Sequence, residues 1–236
     1  MGKNRNLSIR IDQRKVPIRI KRNKASKSIN LSIHPLTQCI HLTIPKNVSL
    51  YLGLNYLKSQ RAWLRNELKE LLLPVPFQHK KYIPFKGKKY CIIHKKSNKE
   101  KVIKYSNNIY VYCKKNKISK NILKWLKQNA KKEIKKSITI YSSHLNVKVK
   151  SIFIKDMITK WGSCSTKKDL TFSWRIIFFP NYVSNYIIAH EVAHLVEFNH
   201  SKKFWNNVKK IYGNFKSANS WMEKNSKKFY RYGISS

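Results

Sequence analysis

Hydrophobic and polar residues alternate along the first 45 residues of the chain. Short runs place an apolar residue at every second position, which is the period of a β-strand with one buried face. The apolar positions are Leu7, Ile9 and Ile11; Val16, Ile18 and Ile20; Ile29, Leu31 and Ile33; and Ile40, Leu42 and Ile44. The pattern predicts four strands, with a hairpin turn over residues 35–38.

The period changes to that of a helix over residues 52–73. Pro74 and Pro76 terminate this helix, because proline lacks an amide hydrogen and cannot continue it. One apolar stripe is expected to face a core. Its members are Leu57, Leu64, Leu68 and Leu71, together with Trp63.

Strands and helices then alternate to the end of the chain. The predicted segments are strands over 90–94, 101–105 and 109–113, a helix over 121–142, strands near 147–155 and 170–178, a helix from Asn181 after Pro180, and helices over 201–212 and 217–230. We therefore expect an α+β protein. A β-rich subdomain with one helix would cover 1–116 and a second subdomain 117–236, the two forming one module.

The chain is strongly basic. Its 51 Lys and Arg against 10 Asp and Glu give a formal net charge of +41 over 236 residues. Most of the cations are Lys, and both halves carry them. With the frequent Ile and Asn, this composition is typical of AT-rich coding sequences. The alternative is a basic surface for a nucleotide or a nucleic acid.

Other features of the composition limit where the protein works. A hydrophobic content of 42% excludes a disordered polycation. No apolar run is long enough to span a membrane, and no apolar stretch follows the basic N-terminus. The cysteines lie far apart, at Cys39, Cys91, Cys113 and Cys164, and form no C-x-x-C pair. We interpret them as the reduced thiols of a cytoplasmic protein.

Residues 190–194 read His-Glu-Val-Ala-His, the H-E-x-x-H pattern. On a helix, positions four apart lie on one face about one turn from each other, so His190 and His194 can bind one metal ion. Glu191 would lie beside the ion, able to hold and deprotonate a bound water. Apolar residues on both sides predict a buried helix, which distinguishes the pattern from two surface histidines.

His200 is the best candidate for a third ligand. It follows His190 by ten residues, about 15 Å along a straight helix, which is too far to share an ion. The sequence therefore predicts that the helix ends near Phe198 and that Asn199 turns the chain back in a left-handed conformation. Glu197 is a candidate second-shell acceptor for a ligand imidazole, with direct ligation as the alternative.

Motifs on both sides extend this pattern. They read Trp-Gly-Ser-Cys-Ser at 161–165, Phe-Ser-Trp-Arg at 172–175 and Asn-His-Ser-Lys-Lys-Phe-Trp at 199–205. With Pro180 and the run 186–194, they resemble the YgjP-like metallopeptidase domain family of the zincin superfamily. Ser173 stands where that family usually has Asn, and Glu197 replaces the Gly of the broader H-E-x-x-H-x-x-G-x-x-H proteases.

The resemblance implies one zinc ion per chain on His190, His194 and His200, with Glu191 as general base. It also implies that 117–236 is a small zincin-like catalytic half. In that half, a helix and an antiparallel or mixed sheet would precede the H-E-x-x-H helix and the C-terminal helices.

The same resemblance points to the substrate cleft. Residues 161–165 are expected to face it, and 170–177 to form a strand near the metal. Trp161, Ser163 and Arg175 are therefore candidate substrate contacts. The alternatives are a core aromatic role for Trp161 and a buried carboxylate partner for Arg175.

The expected activity is zinc-dependent peptide hydrolysis, in which Glu191 activates metal-bound water to attack a carbonyl of a peptide or protein substrate. A nucleoside triphosphate pyrophosphatase on the same site is one alternative, although the sequence lacks a Gly-rich phosphate loop. A basic nucleic-acid-associated protein with a structural metal is another. Three histidine ligands leave one coordination position open, which favours a catalytic site.

Overall fold

A computed structural model of the chain describes residues 7–34, 37–70, 74–157 and 160–233. Contacts divide it into two compact units, Met1–Pro74 and Val75–Ser236. Within the described residues there are six α-helices and three mixed sheets, which confirms the α+β class. No described helix has both the length and the apolar character needed to cross a membrane.

The first unit contains a four-stranded sheet and two helices. Its strands are β1 (Leu7–Ile11), β2 (Arg14–Asn23), β3 (Asn30–Ile33) and β4 (Ile40–Pro45), as the alternation predicted. Their order is β1-β2-β4-β3, with β2 and β4 parallel and the outer pairs antiparallel. Alternate residues of the inner strand β4 are buried against leucines of the helices, which form this unit's core.

The helix predicted over 52–73 is two helices, α1 (Leu50–Ser59) and α2 (Arg61–Glu70). The break follows from local hydrogen bonding, because the Ser59 hydroxyl donates to the Tyr56 carbonyl at 2.8 Å and Gln60 leaves helical geometry with ψ at 16°. Residues 71–73, including Leu71, lie outside the described residues, as do Pro35 and Leu36 of the predicted hairpin turn.

The apolar stripe of these helices is confirmed at Leu57, Leu64 and Leu68, which are buried. Trp63 is not part of it and is 38% exposed. The reason is helical geometry: Trp63 directly precedes Leu64 and is therefore turned about 100° away from the buried face.

The second unit begins with another four-stranded sheet. Its strands are β5 (Tyr82–Phe85), β6 (Lys88–Lys96), β7 (Lys101–Tyr105) and β8 (Asn108–Cys113), in the order β5-β6-β8-β7. The alternation did not reveal β5, which has only four residues and includes a proline. Helix α3 (Ile118–His144) follows and buries an apolar face of Ile122, Leu126, Ala130, Ile134 and Ile138.

A three-stranded sheet comes next. It consists of β9 (Ser151–Lys155), β10 (Gly162–Cys164) and β11 (Asp169–Ser173) in the order β10-β11-β9. The strand predicted over 170–178 ends at Ser173, because Trp174–Phe178 form a 3₁₀ helix. All five of these residues are buried, whereas a strand would send alternate side chains to opposite faces. Helices α4 (Asn181–Ala193), α5 (Lys202–Tyr212) and α6 (Lys216–Asn225) complete the unit.

One hydrophobic core joins β5, β6 and β8 to α3, β11 and α4. The division at Pro74 therefore differs from the expected one at residue 116, because strand β8 and helix α3 bury their apolar faces in the same core. That the two units form one functional module stays a prediction.

Candidate metal and hydrolytic site

Helix α4 carries the H-E-x-x-H residues at its C-terminal end. Its apolar side chains are buried on several sides, as predicted, so the helix runs through the core. His190 and Glu191 lie in its last turn, and His194 is the residue that caps it. The site is therefore held by a rigid element up to its second histidine.

The helix ends at Ala193 and not, as predicted, near Phe198. After Ala193 three-residue turns appear, from the Leu195 amide to the Val192 carbonyl and from the Val196 amide to the Ala193 carbonyl, which also accepts from the Glu197 amide. These turns bury Leu195 and leave Val196 in solvent. The chain thus turns back earlier than its apolar pattern indicates.

Asn199 also departs from the expectation. It does not adopt the left-handed conformation. Its side-chain oxygen instead accepts a hydrogen bond from the Ser201 amide at 3.0 Å. Ser201 in turn caps helix α5, its hydroxyl accepting from the Phe204 amide. The return is therefore made by side-chain hydrogen bonds rather than by backbone strain.

The three histidines converge. One nitrogen from each of His190, His194 and His200 lies within 4.8 Å of the others. The Nε2 atoms of His190 and His200 are 3.1 Å apart, close to the roughly 3.3 Å expected between two ligands of one tetrahedral zinc ion. The Nδ1–H of His194 donates to the Glu197 carbonyl at 3.0 Å, which leaves its Nε2 for a metal. The group therefore fits a divalent cation, and Glu197 acts through its main chain rather than its carboxylate.

Phe204 supports the three imidazoles. It is fully buried, and its ring centre lies 4.9 Å from that of His190, 4.4 Å from His194 and 4.7 Å from His200. Burial is also the main reason why the pKa of His190 falls to about 3 and that of His194 is lowered. Both rings are therefore neutral near pH 7, the form that binds metals.

Glu191 lies against the backbone of strand β10. A methyl group built on Gly162 would be 2.5 Å from Cγ and 2.7 Å from Oε1 of Glu191, so only glycine allows this approach. Glu191 is buried, which raises its pKa to about 7, and Lys160 acts in the opposite direction. The carboxyl group is thus shielded from bulk water beside the histidines.

A cavity of about 200 Å³ opens beside His190 and Glu191. Trp161 and Gly162 form one wall, and the Trp161 ring stacks on Tyr230 at 4.3 Å. Four further residues line it: Tyr186, which begins the motif run 186–194, and Ile187, Asn219 and Met222, which the sequence did not single out as site residues. The only sequence signal for them is the helical spacing of Tyr186 and Ile187 before His190, since α6 reaches the cavity through the tertiary fold.

The other two predicted substrate contacts do not line this cavity. Ser163 is on β10, paired with Thr171, and is not part of the cavity wall. Arg175 is completely buried, forms an ion pair with Asp156 and donates to the Tyr232 carbonyl at 3.1 Å. The structure thus places Arg175 in the interior, stacked over the Trp174 ring.

The strand expected near the metal is also different. Strand β11 covers the first part of 170–177, but it is the central strand of its sheet. Strand β10 contacts α4 and is an outer strand of the sheet. Among the described strands, the unpaired edge near the site is therefore that of 162–164.

Comparison with known proteins places the chain among metal-dependent hydrolases of the metallopeptidase type. The model of the YgjP-like metallopeptidase domain family matches residues 27–225, and the chain belongs to that family. A divalent metal is implied by this membership, and the three-histidine group could hold it. A comparison with curated protein sequences gives no match.

Two solved structures are similar to part of the chain. The metallopeptidase zymogen abylysin of Pyrococcus abyssi is 21% identical, with a TM-score of 0.36 over 39% of this chain and 95% of the other. The metallopeptidase zymogen jannalysin of Methanocaldococcus jannaschii is 28% identical, with a TM-score of 0.34 over 39% of this chain and 92% of the other.

Proposed function

We propose that the chain is a zinc-dependent peptidase in which His190, His194 and His200 hold one ion and Glu191 is the general base. The observation that carries this proposal is the convergence of three imidazole nitrogens within 4.8 Å, next to a buried carboxyl group. Three neutral nitrogen donors with an open fourth position suit catalytic zinc. When bound, zinc supplies a Lewis acid and lowers the pKa of a coordinated water.

Glu191 performs the proton transfers in this proposal. Its carboxylate accepts the proton of the attacking water and returns it to the leaving nitrogen of the peptide. Close contact with Gly162 holds the carboxyl group in one position. Its burial keeps bulk water from competing for the proton.

The substrate is proposed to bind as an extended peptide along strand β10. This outer strand lies next to α4, and among the described strands none pairs with its outer edge, so a peptide backbone can hydrogen-bond there. Ser163 would contribute through that edge, and Trp161 as the cavity wall. Arg175 is assigned the alternative role of a buried ion-pair partner, because its side chain has no exposed surface.

The cavity favours a peptide over a nucleoside triphosphate. Among the described residues that line it, none is Lys or Arg, and Lys160, which acts on the pKa of Glu191, is not part of the lining. Triphosphate hydrolysis needs cations near the developing charge, whereas a peptide carbonyl is neutral. The four described cysteines are unpaired, which supports a cytoplasmic location in the same proposal.

A metal-removal experiment tests this function. The purified chain would be incubated with a pool of synthetic peptides, with zinc, after chelation and after zinc is restored, and new peptide termini would be identified by mass spectrometry. We expect cleavage that disappears on chelation, returns with zinc and is missing in His194→Ala. Peptide cleavage that neither chelation nor His194→Ala reduces would contradict the proposed zinc-dependent peptidase activity.

A further inference from the structure

A second surface of the same unit lies between helix α3 and strand β9, outside the metal site. It is a groove of about 560 Å³. Its lining residues are Lys120, Leu123, Lys124, Lys127, Gln128 and Lys131 of α3, with Ile152, Phe153 and Ile154 of β9. The groove therefore has one basic wall on α3 and one apolar wall on β9.

The four lysines form one row along α3. Their spacing of four, three and four residues keeps them on one helix face, and all four are exposed. Residues 118–155 contain a single acidic residue, Glu133, which pairs with Lys86 at 3.0 Å. Near the start of the row, Glu100 is held by Lys117 at 2.6 Å. None of the four lysines belongs to an ion pair among the described residues, and Glu100 acts on Lys120 at the start of the row. The row therefore presents a net positive charge.

The other wall is the edge of a strand. Ile152, Phe153 and Ile154 are consecutive, so their side chains point to opposite faces of the sheet, yet all three line the groove. The feature that these three residues have in common is their position on the outer edge of the sheet. Strand β9 is the last strand of its sheet, paired only with β11 among the described strands. The backbone groups on its other side are therefore available to a further strand.

The two walls are similar in length. From Ser151 to Lys155, β9 extends about 13 Å at 3.3 Å per residue. The row from Lys120 to Lys131 covers about 16 Å at 1.5 Å per residue. A ligand about five residues long in an extended conformation could thus contact both.

We propose that this groove binds an acidic, extended segment of another protein, which pairs with β9 as an added strand and places its carboxylates along the lysine row. The unpaired edge of β9 and its apolar side chains favour a peptide over a nucleic acid, because only a peptide backbone can continue the sheet. Half-exposed Phe153, at 43%, offers its side chain to the incoming segment. The site is separate from the metal centre and does not depend on the proposed peptidase activity.

The test uses a fluorescein-labelled nonapeptide that alternates glutamate with valine, titrated with the full-length chain carrying Glu191→Gln. Fluorescence anisotropy measures binding. The groove variant replaces Lys120, Lys124, Lys127 and Lys131 with Gln. The control variant replaces four exposed lysines elsewhere in the unit with Gln, and so has the same net charge as the groove variant. These are Lys209, Lys210, Lys224 and Lys227. Circular dichroism verifies that both variants are folded.

Two further probes separate strand addition from simple charge attraction. One is the same peptide N-methylated at alternate residues, which retains its charge but cannot complete a strand ladder. The other is a single-stranded oligonucleotide of equal charge. We expect the groove variant to bind the unmodified peptide at least about tenfold more weakly, the control variant to bind it normally, and the methylated peptide to lose affinity.

Three results would overturn the proposal. Equal losses in the groove and control variants would show general attraction to a basic protein. Undiminished binding of the methylated peptide would exclude strand addition. Tighter, groove-dependent binding of the oligonucleotide would identify a nucleic-acid surface instead. Each readout is a binding constant at a site away from the metal, so it does not depend on whether the chain hydrolyses peptides.

Discussion

Gly162 and Glu191 are in contact so close that no side chain fits between them. A methyl group on Gly162 would lie 2.5 Å from Cγ of Glu191. Gly162 belongs to the outer strand β10, and Glu191 to the last turn of α4. The contact therefore fixes the carboxyl group relative to the strand edge along which we propose that substrate lies.

Gly162→Ala should lower kcat without removing the metal. The added methyl group must displace the Glu191 carboxyl, and a misplacement of about 1 Å in a catalytic group costs up to about 100-fold. Steady-state kinetics and metal analysis of the same preparation measure both effects. Gly213→Ala is the control, because its added methyl group would meet no atom within 4 Å beyond its chain neighbours, and its cost is backbone strain at a φ of 92°. An unchanged kcat in Gly162→Ala would contradict the proposed role of this contact.

His200→Ala should release the metal although His200 lies on an exposed turn. Loss of one of three protein ligands leaves too few donors to hold the ion. Zinc should raise the Tm of the original chain, since a ligand that binds only the folded state stabilises it. It should leave the Tm of His200→Ala unchanged. His144→Ala, at the exposed end of α3, serves as the control and should behave like the original chain. Equal zinc stabilisation of all three proteins would exclude His200 as a ligand.

Arg175→Met should destabilise the fold and leave KM unchanged. The change removes a fully buried charge partner of Asp156 and a hydrogen bond to the Tyr232 carbonyl. We expect a loss of about 2–4 kcal/mol in the free energy of unfolding, measured by urea denaturation. Asp156→Asn should also destabilise the fold, because it leaves the fully buried guanidinium of Arg175 without a counter-charge. Normal stability of Arg175→Met together with a raised KM would indicate instead that Arg175 contacts the substrate.

Local patterns in the sequence were sufficient for most of the fold. Period-two alternation located β1 to β4, and the spacing of Ile122, Leu126 and Ala130 predicted α3. The predicted helix and strand boundaries were wrong where a local hydrogen bond or burial in the tertiary fold outweighed the hydrophobic period of the sequence. The Ser59 hydroxyl divides one predicted helix into two, and burial of the whole segment Trp174–Phe178 converts a predicted strand into a 3₁₀ helix.

For the site, spacing alone paired His190 with His194, because i and i+4 positions meet on any helix. It also required a chain reversal before His200. The way this reversal is made, with α4 ending at Ala193 and Asn199 accepting from the Ser201 amide, depends on burial that the sequence does not display. The contact of Gly162 with Glu191 and the position of Asn219 in the cavity wall also depend on the tertiary fold and could not be predicted from local sequence.

The most direct measurement is a parallel assay of the zinc-loaded chain and its Glu191→Gln variant on a peptide pool and a nucleoside triphosphate pool. Glutamine has almost the shape of glutamate but cannot accept the proton of the attacking water. We predict that both proteins bind one zinc ion, that the original chain cleaves peptides and not triphosphates, and that Glu191→Gln loses peptide cleavage by at least about 100-fold. Undiminished peptide cleavage by Glu191→Gln, or triphosphate hydrolysis that depends on Glu191, would contradict the account.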